Sequence, residues 1–144
     1  MNKNAILLSI RPKYAGKILT GEKKVELRRI CPRVQQGDLV IIYASSPLMA
    51  VTGSFVVDRV VTKHPEELWP IVRQSACISQ KEFDTYYKGS TLGVGIFVSK
   101  VRSTNTPLRL AQIRKLWPDF HPPQGFRYLT QTTGRLNIFL SILK

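Results

Sequence analysis

Leu7 to Arg29 read "LLSIRPKYAGKILTGEKKVELRR", and a change of period inside this stretch decides the fold. The apolar run "ILLSI" just ahead of Arg11 reads as a short strand. Pro12 suits the first position of a helix, Tyr14, Ala15, Ile18 and Leu19 recur at helical spacing, and Gly21 suits the stop. From Lys24 the period becomes two. Val25 and Leu27 then face one way and Lys24, Glu26 and Arg28 the other.

Further along, Gly37-Asp38 reads as a turn, "LVIIY" as a buried strand, "ASSP" as a loop and "AVTGSFVVDRVV" as a long strand with Gly53 inside it. Two short helical stretches follow: "PEELWPIVRQS", interrupted by Pro70, and "SQKEFDTYYKG", where Ser79 and Glu82 make a capping box and Gly89 a stop. "LGVGIFVSKV" reads as a strand, "PLRLAQIRKLW" as a helix or helical turn, "HPPQGFRYLT" as an extended loop and "LNIFLSIL" as a closing strand. Strands joined by short helices predict an α+β fold, a small and mostly antiparallel β-barrel surrounded by short helices. With 144 residues and no linker or repeat, residues 1–144 are expected to form a single domain.

The net charge is +13, and it is unevenly spread. Before Gly37 the acids are Glu22 and Glu26, against Lys3, Arg11, Lys13, Lys17, Lys23, Lys24, Arg28, Arg29 and Arg33. From Lys100 onward Asp119 stands alone against eight basic residues. If the two basic ends meet in the fold they make one positive face, for which a polyanion is the natural partner. The opening apolar run is too short for a signal peptide or a membrane span, so the chain is read as cytoplasmic and without a membrane partner. Cys31 and Cys77 form no CxxC and are read as reduced thiols.

Metal and standard nucleophile chemistry find no residues to use. His64 and His121 each lie beside a proline, without acids or cysteines at ligand spacing, and no GxSxG, Walker or dinucleotide glycine pattern occurs. Neither a metal nor a cofactor is expected. What remains is a set suited to a base or a phosphate. Glu26 can accept from a base edge or act as a general base, and Lys23 can anchor a phosphate or, if buried, move a proton. Strand alternation puts these two on opposite faces, so they converge only if Lys23 lies in the turn before the strand or a bulge intervenes. The alternative role for Glu26 is an ion pair with Lys24 or Arg28. Gly53, Gly93 and Gly95, inside strands, either admit a bulky neighbour or let a ligand approach. Arg127 and Tyr128 offer stacking planes, and Ser45 and Ser46 offer donors.

The stretch from Leu7 to Arg29 resembles the opening of the ASCH domain, a branch of the PUA-like superfamily, with the signature G-x-K-x-x-E-x-R at Gly21, Lys23, Glu26 and Arg28. "GDLVIIYASSP", "VTGSFVV" and "GVGIFV" fit the same scheme, so the resemblance covers roughly residues 5–100. It implies a PUA-like barrel whose cleft carries the signature lysine, glutamate and arginine, and a domain that binds RNA. One branch of that family removes an acyl group from acetylated cytidine with a lysine and a threonine three residues after it. Here Lys23 matches the lysine and Glu26 stands at the threonine position. Other members are proposed to cleave RNA without metal, a chemistry for which Lys23, Glu26 and Tyr43 are the acid and base candidates.

The resulting expectation is an RNA-binding regulatory protein, with DNA as a further possible polyanion. Lys13, Lys17, Lys23, Arg28 and Arg29 would contact phosphates, Glu26, Ser45 and Ser46 base edges or phosphates, and Arg127 or Tyr128 would stack. The alternative is a metal-independent hydrolase acting on RNA or a modified nucleoside.

Overall fold

The computed structural model describes residues 5–129 and 135–143. The opening stretch folds as strand β1 (Ala5–Ile10), helix α1 (Pro12–Leu19) and strand β2 (Val25–Arg28). Pro12 sits in the first helical turn, where its missing N–H removes no helical bond. Gly21, at φ +86°, takes the left-handed conformation just past the helix, and the Lys23 amide then donates to the Lys17 carbonyl at 2.9 Å.

The remaining elements are β3 (Leu39–Ala44), β4 (Ala50–Lys63), α2 (Pro65–Val72), α3 (Gln80–Tyr86), β5 (Gly93–Arg109), α4 (Leu110–Leu116), β6 (Phe126–Leu129) and α5 (Arg135–Leu140). One six-stranded sheet runs in the order β2-β5-β4-β3-β1-β6. Its pairs are antiparallel except β1 with β3, which is parallel, so the sheet is mixed. The expected barrel is open rather than closed. β2 and β6 are sheet edges of four residues each and do not pair with one another. Register shifts at Val51/Gly53, Ser54/Val56 and Val57/Arg59 bend the long β4–β5 ribbon into a half-barrel. Side chains then bridge the seam: the Arg28 guanidinium donates to the Ser9 carbonyl, and the Arg33 amide donates to the Tyr128 hydroxyl at 2.8 Å.

Alternation along the strands sorts the core. Leu7, Ile41 and Tyr43 face one side with Trp117, Phe120 and Phe139. Ile6, Leu8, Val40 and Ile42 face the other, with Ala15 and Ile18 of α1 and with Ile96. Val25 and Leu27 join Leu68, Val72, Phe83 and Tyr87 beneath α2 and α3. The strand glycines serve packing. A Cβ on Gly93 would come within 2.7 Å of Leu68 Cδ2, and one on Gly53 would meet the Arg102 carbonyl and a Leu19 methyl.

Three local readings need correction. The first five residues of "LNIFLSIL" are helical in α5 and the rest form a turn, and Leu136, Phe139 and Leu143 reach the same core. The edge strand comes instead from "FRYL", inside the expected extended loop, which pairs with β1. Thr130, the last residue of that expected loop, lies outside the described residues. Pro70 does not interrupt α2, which runs through it from Pro65 to Val72.

Candidate functional site

Lys23 precedes β2, and its amine therefore escapes the strand's alternation. Its side chain turns inward, leaving the residue 3% exposed, and Nζ donates to the Ala76 carbonyl at 2.7 Å. The Tyr14 ring lies 5.2 Å from Nζ. Burial pushes the amine below its ordinary value, while the neighbouring Glu26 carboxylate pulls it back up.

Glu26 is 6% exposed and pairs with Ile96 across the sheet, on the face occupied by α1. Its Oε2 accepts from Arg28 Nε at 3.1 Å and from the terminal guanidinium nitrogen at 2.8 Å. Arg28, tied also to the Ser9 carbonyl, holds the carboxylate at the seam. Among the described residues, Glu26 Oε1 takes no hydrogen bond and the Lys23 amine has no acceptor beyond Ala76. A buried cation and a buried anion thus converge, each with hydrogen-bonding capacity left over, and they do not pair with one another.

Tyr14, Glu82 and Tyr87 surround this pair, Tyr14 being expected as a helical apolar position and Glu82 as a cap. Tyr14 of α1 donates its hydroxyl to Glu82 Oε2 of α3 at 3.3 Å, spanning the two helices. Glu82 also completes the expected capping box with Ser79. Tyr87 donates to the Arg28 carbonyl at 2.9 Å, and burial raises its phenol well above its ordinary value. Helical period and the capping pattern were the signals for these residues, and neither reports a contact across 68 positions of chain.

The other expected residues divide by location. Lys13 and Lys17 lie on α1, Lys13 Nζ being 5.6 Å from the Tyr14 ring and Lys17 near enough to help depress the Lys23 amine, and Arg29 stacks at 4.8 Å on Tyr86. The Ser45 amide is anchored to the Ile10 carbonyl at 2.9 Å, and the hydroxyls of Ser45 and Ser46 have no partner among the described residues. Tyr128 is covered by Arg33 at 4.8 Å. Arg127 stacks at 4.4 Å on Trp117, beside Leu7 and therefore on the opposite face of the sheet from Glu26. Tyr43 is also on that opposite face, packed edge-on against Phe120 at 6.4 Å, so the structure does not bring it to Lys23 and Glu26.

Among the described residues no group of three or more histidine, cysteine or acidic side chains could hold a metal, and no helix is long and apolar enough to cross a membrane. Residues 8–103 match the profile of the ASCH domain. The chain belongs to the ASCH domain family. This ASCH chain is 26% identical over 128 residues to a Zymomonas mobilis protein named ASCH domain-containing ribonuclease, a match that covers 89% of this chain and 86% of that one. It is 27% identical over 125 residues to the large ribosomal subunit protein uL22 of Ureaplasma parvum, covering 86% of this chain but 39% of that protein. A crystal structure of a tyrosine-to-phenylalanine variant of the Zymomonas mobilis ASCH protein superposes with a TM-score of 0.90, at 23% identity, over 97% of this chain and 99% of that one. That likeness establishes the ASCH fold, a PUA-like half-barrel.

Proposed function

We propose that this ASCH chain is a regulatory protein that binds RNA, single-stranded or structured, by admitting an unpaired base edge to the Lys23–Glu26 cleft. The observation that supports this most is the pair of buried, open hydrogen-bonding atoms at Lys23 Nζ and Glu26 Oε1. A donor beside an acceptor is the complement of a base edge that offers a carbonyl or ring nitrogen next to an N–H. Lys13, Lys17 and Arg29 at the cleft would contact phosphates, and Ser45 and Ser46 would add donors. Arg127 lies on the other face and Tyr128 beneath Arg33, so neither is assigned the stacking role.

The test is fluorescence anisotropy at two salt concentrations with single-stranded RNA, DNA of the same sequence and duplexes. Preference for single-stranded RNA, reduced in Glu26→Gln, is expected. Equal and steeply salt-dependent binding to every polymer would leave the net charge as the whole explanation.

A second reading, hydrolysis of RNA or of a modified nucleoside, is favoured by one observation. Lys23 is a buried amine with a lowered pKa beside a carboxylate, the environment of a group that moves protons. The Zymomonas mobilis relative is itself named a ribonuclease. Metal-free protein incubated with labelled RNA and with acylated cytidine decides it. Products that vanish in Glu26→Gln would carry the reading, and identical behaviour of wild type and variant would remove it.

A further inference from the structure

On the face of the sheet away from the cleft, a hollow of about 390 Å³ lies between the bulged part of β4 and β5 and the end of the chain. Ser54, Lys100 and Arg102 line its polar side, and Leu39, Leu140 and Leu143 line its apolar side. Ser54 pairs with Ile41 and Arg102 across its two neighbouring strands, which places it opposite the Glu26 side. We propose that this hollow binds a phosphate monoester carrying an apolar body, such as a nucleoside monophosphate or the 5′-phosphorylated end of an RNA.

Four observations converge on that ligand. Ser54 lines the hollow, and its hydroxyl makes no hydrogen bond among the described residues, which leaves it free to donate to a ligand oxygen. Lys100 sits at the register shift of β5 with φ +47°, a left-handed conformation that lysine rarely adopts. Bulges re-aim side chains, and this one directs a cation to the same hollow as Arg102. No carboxylate lines the hollow, and neither cation has an ion pair or a side-chain hydrogen bond among the described residues. The nearest acid in sequence to the lining residue Gly37 is Asp38, whose Oδ2 is occupied by the Gln35 amide at 2.9 Å. Two uncompensated cations match a group that carries close to two negative charges at neutral pH, which is a monoester rather than a diester or a carboxylate. The leucine wall then takes the carbon-rich part, as in small-molecule sites of this size.

The site stands apart from the RNA reading of the Lys23–Glu26 cleft, and the test keeps them separate. Amide shifts of ¹⁵N-labelled protein are followed during titration with uridine 5′-monophosphate, its 3′,5′-cyclic diester, uridine and inorganic phosphate. Saturable shifts at Gly37, Ser54, Lys100 and Arg102 are expected with the monoester. Affinity should fall at least tenfold for the cyclic diester, for inorganic phosphate and in Lys100→Asn/Arg102→Gln, and should be unchanged in Glu26→Gln. Asparagine tolerates the left-handed position, both replaced side chains are exposed, and the spectrum itself reports the fold of the variant. A short RNA with and without a 5′-phosphate distinguishes the sources: the same shifts only with the phosphorylated strand would assign a polymer end, and shifts with the mononucleotide alone a free nucleotide. Absence of saturable shifts at these amides with every monoester, or equal affinity in the double variant, would overturn the proposal, as would inorganic phosphate binding as tightly as the monoester.

Discussion

Glu26 gives a single oxygen, Oε2, to two donors of Arg28, and none to Lys23. Arg28 is therefore the neutralising partner of the buried acid, and the Lys23 amine is left with the Ala76 carbonyl as its acceptor. With side chains only 14% and 8% exposed, this pair belongs to the class whose disruption strands a charge. Arg28→Ala strands the Glu26 carboxylate and Glu26→Gln strands the Arg28 guanidinium, so each should cost about 3 kcal/mol in urea unfolding. Losses below about 1 kcal/mol in both variants would show that the pair behaves as an exposed one.

Lys23 and Tyr87 set opposite pH slopes on stability. The folded amine of Lys23 lies below its unfolded value of 10.5, so between its folded pKa and that value the unfolded chain binds more protons and stability rises with pH. Tyr87 is raised above its ordinary 10.0, so its contribution is complete below that pH and is lost as pH climbs toward the folded value. Lys23→Met should flatten the rise and Tyr87→Phe should flatten the later fall. Unfolding free energies measured from pH 7 to 11 check both, and a Lys23→Met curve parallel to wild type would contradict the burial of the amine.

Gly53→Ala should be among the most damaging small changes available. Its Cβ would meet the Arg102 carbonyl, a backbone atom that cannot rotate away, so a loss of about 3 kcal/mol is expected. Gly95→Ala meets side-chain methyl groups, those of Val25 and Val72 at 3.3 Å and of Leu68 at 3.6 Å, and should cost about 1 kcal/mol. Thermal unfolding of the two variants side by side tests the ranking.

Tyr43→Phe removes a buried hydroxyl that has no partner among the described residues. The variant should be more stable by about 1 kcal/mol, read as a higher Tm in calorimetry, because an unpaired polar atom is deleted and the packing on Phe120 is kept. A comparable loss of stability would mean that the hydroxyl is satisfied by bound water.

Much of the site was legible where the chain signals locally. Pro12, Gly21 and the alternation from Val25 to Arg28 placed α1 and β2, and the position of Lys23 ahead of the strand is the condition under which it could join Glu26. Tyr14 and Glu82 were visible only in their local roles, as a helical apolar position and a capping residue. Their hydrogen bond depends on how two helices lean together, which no spacing encodes. "LNIFLSIL" failed for a different reason. Its apolar residues satisfy both periods, and the choice fell to the partner surface, where Phe120 and Trp117 receive Phe139 and Leu136 from a helix.

The seam between β2 and β1 changes what a homologue of this fold can vary. Strands joined by a ladder sit at a fixed spacing of about 4.8 Å, so a cleft bounded by paired strands comes in one width. Here the two strands are held by the reach of one arginine to the Ser9 carbonyl, and a side chain can be shortened, lengthened or re-rotamered without touching the sheet. The spacing across this seam is thus a property of a single residue, free to vary while every strand stays in register.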